Sequence, residues 1–168
     1  MRATFLLPAL FALPAAAFEF DALEGGTIDL DDLRGQAVLV VNTASLCGFT
    51  DQYAELQTLH ERYGDRGLTV LGVPSDDFRQ ELGSAEEVAD FCEVNYGLTI
   101  PLTDITPVRG EAAHPFYRWL AEEHGAAPRW NFNKALLDPS GDLVAFEGAN
   151  VRPLSPRMTG AIEAVLPE

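Results

Sequence analysis

Two uninterrupted apolar runs separated by one helical pattern constrain this chain more than any other feature. Ala37-Val-Leu-Val-Val41 and Leu68-Thr-Val-Leu-Gly-Val73 show no polar alternation, as expected of strands buried on both faces. Between them, Tyr53, Leu56, Leu59 and Tyr63 recur at helical spacing. Thr50 or Asp51 is placed to cap that helix, and Gly64 to end it. A strand, a crossover helix and a second buried strand require a sheet with helices packed on it.

The remaining elements extend the pattern. Phe18–Leu23 and Thr27–Leu33 flank Glu24-Gly25-Gly26 as an N-terminal hairpin, and Lys134–Asp138 and Asp142–Glu147 flank Pro139-Ser140-Gly141 as another. Ser84-Ala-Glu-Glu is a capping-box signature that opens a helix to about Tyr96. Further helices are predicted over about His114 to His124 and over Ser155–Leu166. His60 and His124 then fall on helix surfaces, and His114 at a helix start. The order β, β, β, α, β, α, α, β, β, α specifies a mixed α/β sheet flanked by helices.

Residues 1–17 read as an address rather than as part of this fold. Arg2, an apolar stretch and the small residues Ala15 and Ala17 form a signal peptide with its A-x-A site. We therefore expect a periplasmic or secreted protein, cleaved near Ala17, with one domain over residues 18–168. Loss of Arg2 would take the net charge from −15 to −16. Lys and Arg total 11 against 26 Asp and Glu, and such an excess repels nucleic-acid phosphates and anionic lipid surfaces. No nucleic-acid partner and no stable membrane insertion are expected. Two cysteines and three histidines are too few for a cysteine- or histidine-rich metal site, so neither a metal nor another cofactor is expected.

Cys47 follows a buried strand and precedes a helix, where backbone N–H groups and the helix dipole favour a thiolate. Cys47-Gly48-Phe49-Thr50 has the spacing of a thioredoxin-type C-x-x-C with Thr in place of the second sulfur. Without that sulfur the motif cannot close a disulfide on itself. A lone activated thiolate is suited instead to attacking a peroxide oxygen and becoming a sulfenic acid. A buried structural cysteine is the alternative reading of the local features.

Four segments, in order, resemble the glutathione peroxidases in their cysteine-containing bacterial form. Val41–Thr50 is similar to V-N-x-A-S-x-C-G-x-T, and Val73-Pro74 with Phe78–Glu81 to F-P-x-N-x-F-G-x-Q-E. Ala113-His114-Pro115 with Tyr117 matches A-H-P-x-Y, and Trp130–Lys134 matches W-N-F-x-K. The resemblance implies a thioredoxin-like fold and a thiol peroxidase acting on hydrogen peroxide and organic or lipid hydroperoxides. It places the family's catalytic tetrad on Cys47, Gln80, Trp130 and Asn131. Their amide and indole N–H groups are neutral donors suited to a thiolate and a departing oxygen.

The resemblance breaks in one loop. Asp76-Asp77 replace Asn plus Gln or Asp, one residue is missing between Phe78 and Gln80, and Leu82 replaces Pro. Asp77 is expected to face solvent; turned toward Cys47 it would oppose a thiolate. Thioredoxin-dependent members carry a resolving cysteine one position after Cys92, and one helical position is about 100° of rotation. Cys92 is therefore open to three roles: resolving cysteine, buried free thiol, or partner in a static disulfide with Cys47.

Only ten residues separate Trp119 from Trp130. The tetrameric members' insertion is thus missing, which implies a monomer. The expected reductant is an external thiol, from a thioredoxin-like protein or glutathione; with no evident cationic cluster, glutathione is disfavoured. Two other functions fit the composition: a periplasmic thiol–disulfide oxidoreductase, and a non-catalytic thioredoxin-fold binding module.

Overall fold

The computed structural model describes residues 18–167. The expected leader, residues 1–17, lies outside them. Strand β1 (Glu19–Asp21) pairs antiparallel with β2 (Thr27–Asp29). The main sheet holds β3 (Ala37–Thr43), β4 (Leu68–Pro74), β5 (Lys134–Leu137) and β6 (Leu143–Glu147) in the order β4-β3-β5-β6. β3 runs parallel to β4 and antiparallel to β5, so the sheet is mixed as expected.

Every residue of β3 is buried because both faces of the sheet are covered. Ala37, Leu39 and Val41 face a core built with α1 (Gln52–Tyr63), α2 (Ala85–Tyr96) and α4 (Pro156–Val165). Val38 and Val40 face the opposite core, with Phe20 of the hairpin and Phe116 and Leu120 of α3 (Pro115–His124). Period-two alternation between two apolar layers yields an unbroken apolar run in sequence.

Local differences have local causes. Leu30–Leu33 is a 3-10 turn instead of strand, since the Asp29 carboxylate accepts the Asp31 N–H and turns the chain. Asp51 occupies the cap position of α1 without a capping bond; its carboxylate is taken by Arg152 at 2.8 Å. Gly64 keeps right-handed geometry and the chain continues through a 3-10 turn, so the left-handed stop falls at Gly67 (φ 89°). Ser84 caps α2 through the Glu87 N–H, whereas the Glu87 carboxylate reaches Gly83 instead of completing the box. His60 is half-buried, its Nδ1 turned inward, and only His124 is fully a surface residue.

His114 joins α3 to the hairpin. Its Nδ1 accepts the Phe116 N–H, which leaves Nε2–H to donate to the Glu19 carbonyl at 2.8 Å. Its ring stacks on Phe20 with centroids 3.9 Å apart, and burial lowers its pKa, consistent with a neutral structural imidazole.

Candidate active site

Three segments meet where β3 and β4 end and β5 begins. They are the loop after β3 carrying Cys47, the loop after β4 carrying Gln80, and the turn Trp130–Asn133 leading into β5. Backbone bonds clamp them to the sheet: Ser75 N–H donates to Thr43 (3.0 Å), and Phe132 N–H to Asn42 (2.5 Å). The carboxyl ends of parallel strands are where such sheets leave room for a ligand.

Cys47 is 5% exposed, beside the highly exposed Leu46. It lies in consecutive turns, with the Thr50 N–H donating back to its carbonyl at 3.2 Å. α1 begins only at Gln52, so the thiol stands ahead of the helix and not on its first turn.

The Gln80 loop closes through Arg79, a non-glycine residue at φ 58° whose N–H donates to the Asp76 carbonyl at 2.8 Å. Left-handed geometry there costs about 1–2 kcal/mol, and it lets a loop shortened by one residue turn back in time to present Gln80. Asp77 points neither at Cys47 nor freely into solvent. Its Oδ2 accepts the N–H groups of Val108 (2.6 Å) and Arg109 (3.0 Å), which corrects the expectation of a solvent-facing carboxylate. The structure thereby ties the loop to the segment between α2 and α3.

Gln80 and Asn131 are brought together directly. Asn131 Nδ2 donates to Gln80 Oε1 at 3.0 Å, which leaves the Gln80 amide nitrogen with both its hydrogens available. The Gln80 carbonyl in turn accepts the Leu46 N–H at 2.8 Å, so the residue before the thiol is anchored to the glutamine. Asn131 is fully buried, whereas Trp130 is 42% exposed and packs its ring on Phe78 with centroids 5.4 Å apart. Neutral donors held in advance by such bonds stabilise developing negative charge without reorganising.

The Trp130–Asn133 turn depends on residues to which the sequence reading gave no role. Phe132 is left-handed at φ 60°. Asn42 Nδ2 and Asn133 Nδ2 both donate to the Trp130 carbonyl (2.9 and 2.6 Å), and Lys134 Nζ donates to the Phe132 carbonyl at 2.7 Å. Lys134 is 0% exposed, and burial pushes its ammonium down to about 8. Glu81 was likewise unassigned, although it joins the Cys47 and Gln80 loops. The available signal was polarity in the wrong place: Asn42 and Lys134 are polar residues at the ends of strands whose other residues are nearly all apolar.

Cys92 lies on α2, is 2% exposed and packs in the same core cluster as Cys47 and Tyr53. Burial pushes its thiol up to about 11, partly opposed by the Tyr53 hydroxyl. Both thiols are free, so no disulfide joins them here. Three exposed arginines without ion-pair partners among the described residues flank the site: Arg79 beside Gln80, Arg129 beside Trp130, and Arg109 over the Phe78 ring at 5.1 Å. Of the three, Arg109 comes from a segment distant in sequence, and exposed Asp76 shares the Arg79 loop.

Comparison with known proteins gives a consistent result. A sequence model described as glutathione peroxidase matches residues 16–121, a span that includes Cys47, Gln80 and Cys92. The hydroperoxy fatty acid reductase gpx1 of Synechocystis is 44% identical over 147 residues, covering 81% of this chain and 87% of that protein. The glutathione peroxidase-like peroxiredoxin HYR1 of Saccharomyces cerevisiae is 39% identical over 151 residues, covering 86% and 91%. Among solved structures, that of Trgpx in apo form superposes with a TM-score of 0.69 at 28% identity, covering 91% of this chain and all of that one. A thioredoxin-family thiol:disulfide interchange protein of Chlorobium tepidum gives a TM-score of 0.67 at 17% identity, covering 90% and 94%, a likeness of fold alone. The fold is thioredoxin-like.

Proposed function

The chain belongs to the glutathione peroxidase family, and from that premise we propose that Cys47 is its peroxidatic nucleophile, served by Gln80, Trp130 and Asn131. The chain is an oxidoreductase that uses peroxide as acceptor. The Cys47 thiolate attacks the terminal oxygen of a hydroperoxide; an S–O bond forms, the O–O bond breaks, and the departing oxygen takes a proton to leave as water or an alcohol. Cys47 is then a sulfenic acid. One external thiol condenses with it to a mixed disulfide and releases water, and a second thiol returns Cys47 to the reduced state.

The observation that carries this reading is the Asn131–Gln80–Leu46 chain of hydrogen bonds. It ties a neutral amide, its nitrogen unspent, to the loop that bears the thiol. Thr50 at the position of a second sulfur argues against a disulfide oxidoreductase, because no local partner can resolve a mixed disulfide. The unpaired arginines at the rim favour a reductant with an anionic face, whether glutathione or an acidic patch of a thioredoxin-like protein. Export to the periplasm or medium after cleavage near Ala17, a monomeric state and a role against oxidative stress complete the proposal. No helix among the described residues is long and apolar enough to cross a membrane.

Trapping tests the reading. Reduced protein treated with one equivalent of hydrogen peroxide in the presence of dimedone should gain a single adduct on Cys47. An adduct confined to Cys92, or none on either cysteine with both thiols still reduced, would leave the fold as a binding module.

A further inference from the structure

The chemistry above leaves one buried carboxylate unused. Glu81 is 8% exposed, and no Lys, Arg or His forms an ion pair with it among the described residues. A buried carboxyl group without a cation is costly unless hydrogen bonds satisfy it. Here the bonds come from the backbone of both active-site loops and converge on one oxygen: Oε1 accepts the Ser45 N–H at 2.9 Å and the Leu82 N–H at 2.8 Å, whereas Oε2 is buried without a partner among the described residues and burial raises the carboxyl's pKa. Ser45 stands two residues before Cys47, and Leu82 two residues after Gln80. The Leu46 N–H to Gln80 carbonyl bond runs beside this clasp, and the Glu81 N–H is itself held by Asp76 Oδ1 at 3.1 Å. Leu82 stands where the family pattern has Pro, and only a residue with an N–H can supply the second bond to Oε1.

We propose that Glu81 is a positioning residue for Cys47: its Oε1 clasps the Cys47 loop to the Gln80 loop and so fixes the thiol against the Gln80–Asn131 amides. The proposal rests on the peroxidase reading. Two backbone N–H groups from separate loops converge on a single oxygen, which suits a clasp between them. Misplacement of a reacting group by about 1 Å can cost on the order of 100-fold in rate. Removing the Glu81 side chain would also orphan two N–H groups at once.

Two rates on one sulfur test the proposal. Oxidation by hydrogen peroxide requires the aligned amides, whereas alkylation by iodoacetamide requires only the thiol. Both are measured on reduced wild type, E81A, E81Q and L82P, with folding checked by circular dichroism. In E81A the ratio of peroxide rate to alkylation rate should fall about 50-fold or more. E81Q keeps an acceptor at Oε1 and should restore at least a tenth of the wild-type ratio. L82P removes one N–H while sparing Glu81, and should lower the ratio about fivefold. An E81A ratio within threefold of wild type overturns the proposal, as does E81Q matching E81A. If E81A fails to fold, an unchanged ratio in L82P overturns it. A wild-type peroxide rate no faster than that of free cysteine refutes the peroxidase reading instead, so the two failures are separable.

Discussion

Cys47 and Cys92 are almost equally hidden, at 5% and 2% exposure, yet the structure gives them opposite surroundings. Cys47 lies in turns beyond the end of β3, on a loop tied to the Gln80 loop through the Leu46 N–H, with the Gln80 amide held by Asn131. Cys92 sits within α2, where its own backbone N–H is committed to the helix and its sulfur meets Tyr53 and apolar core. Burial raises a thiol's pKa, as it does at Cys92. Cys47 instead stands on a loop bonded to the Gln80 segment, whose amide nitrogen stays unspent, whereas the backbone donors of a regular helix interior are already committed.

The sharpest way to break this contrast is to exchange the cysteines for inert residues. C47S should lower the rate of peroxide reduction by about 1,000-fold or more, since the nucleophile itself is lost. C92A should leave the first oxidation step within a few-fold of wild type, measured as peroxide consumed in a single turnover. Next come the amides. Q80A and N131A should each lower the peroxide rate about 100-fold, the usual cost of one prepared donor. Because Asn131 acts in part through Gln80, the double variant should fall well short of the product of the two losses. W130F, which keeps the ring against Phe78 but removes the indole N–H, should cost about tenfold.

The smallest effect lies at Cys92 and is read through pH. Burial raises its thiol from about 9 to about 11, so the folded state holds its proton more tightly than the unfolded chain does. The stability this lends is complete below about pH 9 and is lost as pH rises through 9 toward 11. Denaturant melts at pH 8 and pH 10.5 should therefore show a loss in wild type that C92A reduces. Iodoacetamide at pH 8 should label Cys47 and leave Cys92 untouched.

The order of elements was legible because burial leaves a periodic trace: unbroken runs for β3 and β4, helical spacing for α1, turn residues between β5 and β6. Boundaries shifted where a side chain chose a tertiary partner over a local one. Asp51 pairs with Arg152 in place of capping α1, and Asp77 binds the backbone of Val108 and Arg109, 31 and 32 residues away. Cys47, Gln80, Trp130 and Asn131 were named by the family resemblance, and the structure joins Gln80 to Asn131. Glu81, Asn42 and Lys134 were not, because what they do is set by backbone partners on other segments. Those partners are fixed only once β3, β4 and β5 lie side by side. Arg109, distant in sequence, reaches the Phe78 ring for the same reason.

Stopped-flow tryptophan fluorescence of the reduced protein mixed with hydrogen peroxide tests the role of Cys47 most directly, with Trp130 beside the reacting loop as reporter. Wild type and C92A should both react with a second-order rate far above that of free cysteine, and C47S should show no peroxide-dependent change. A wild-type rate no faster than free cysteine, or a C47S trace that matches wild type, would contradict it.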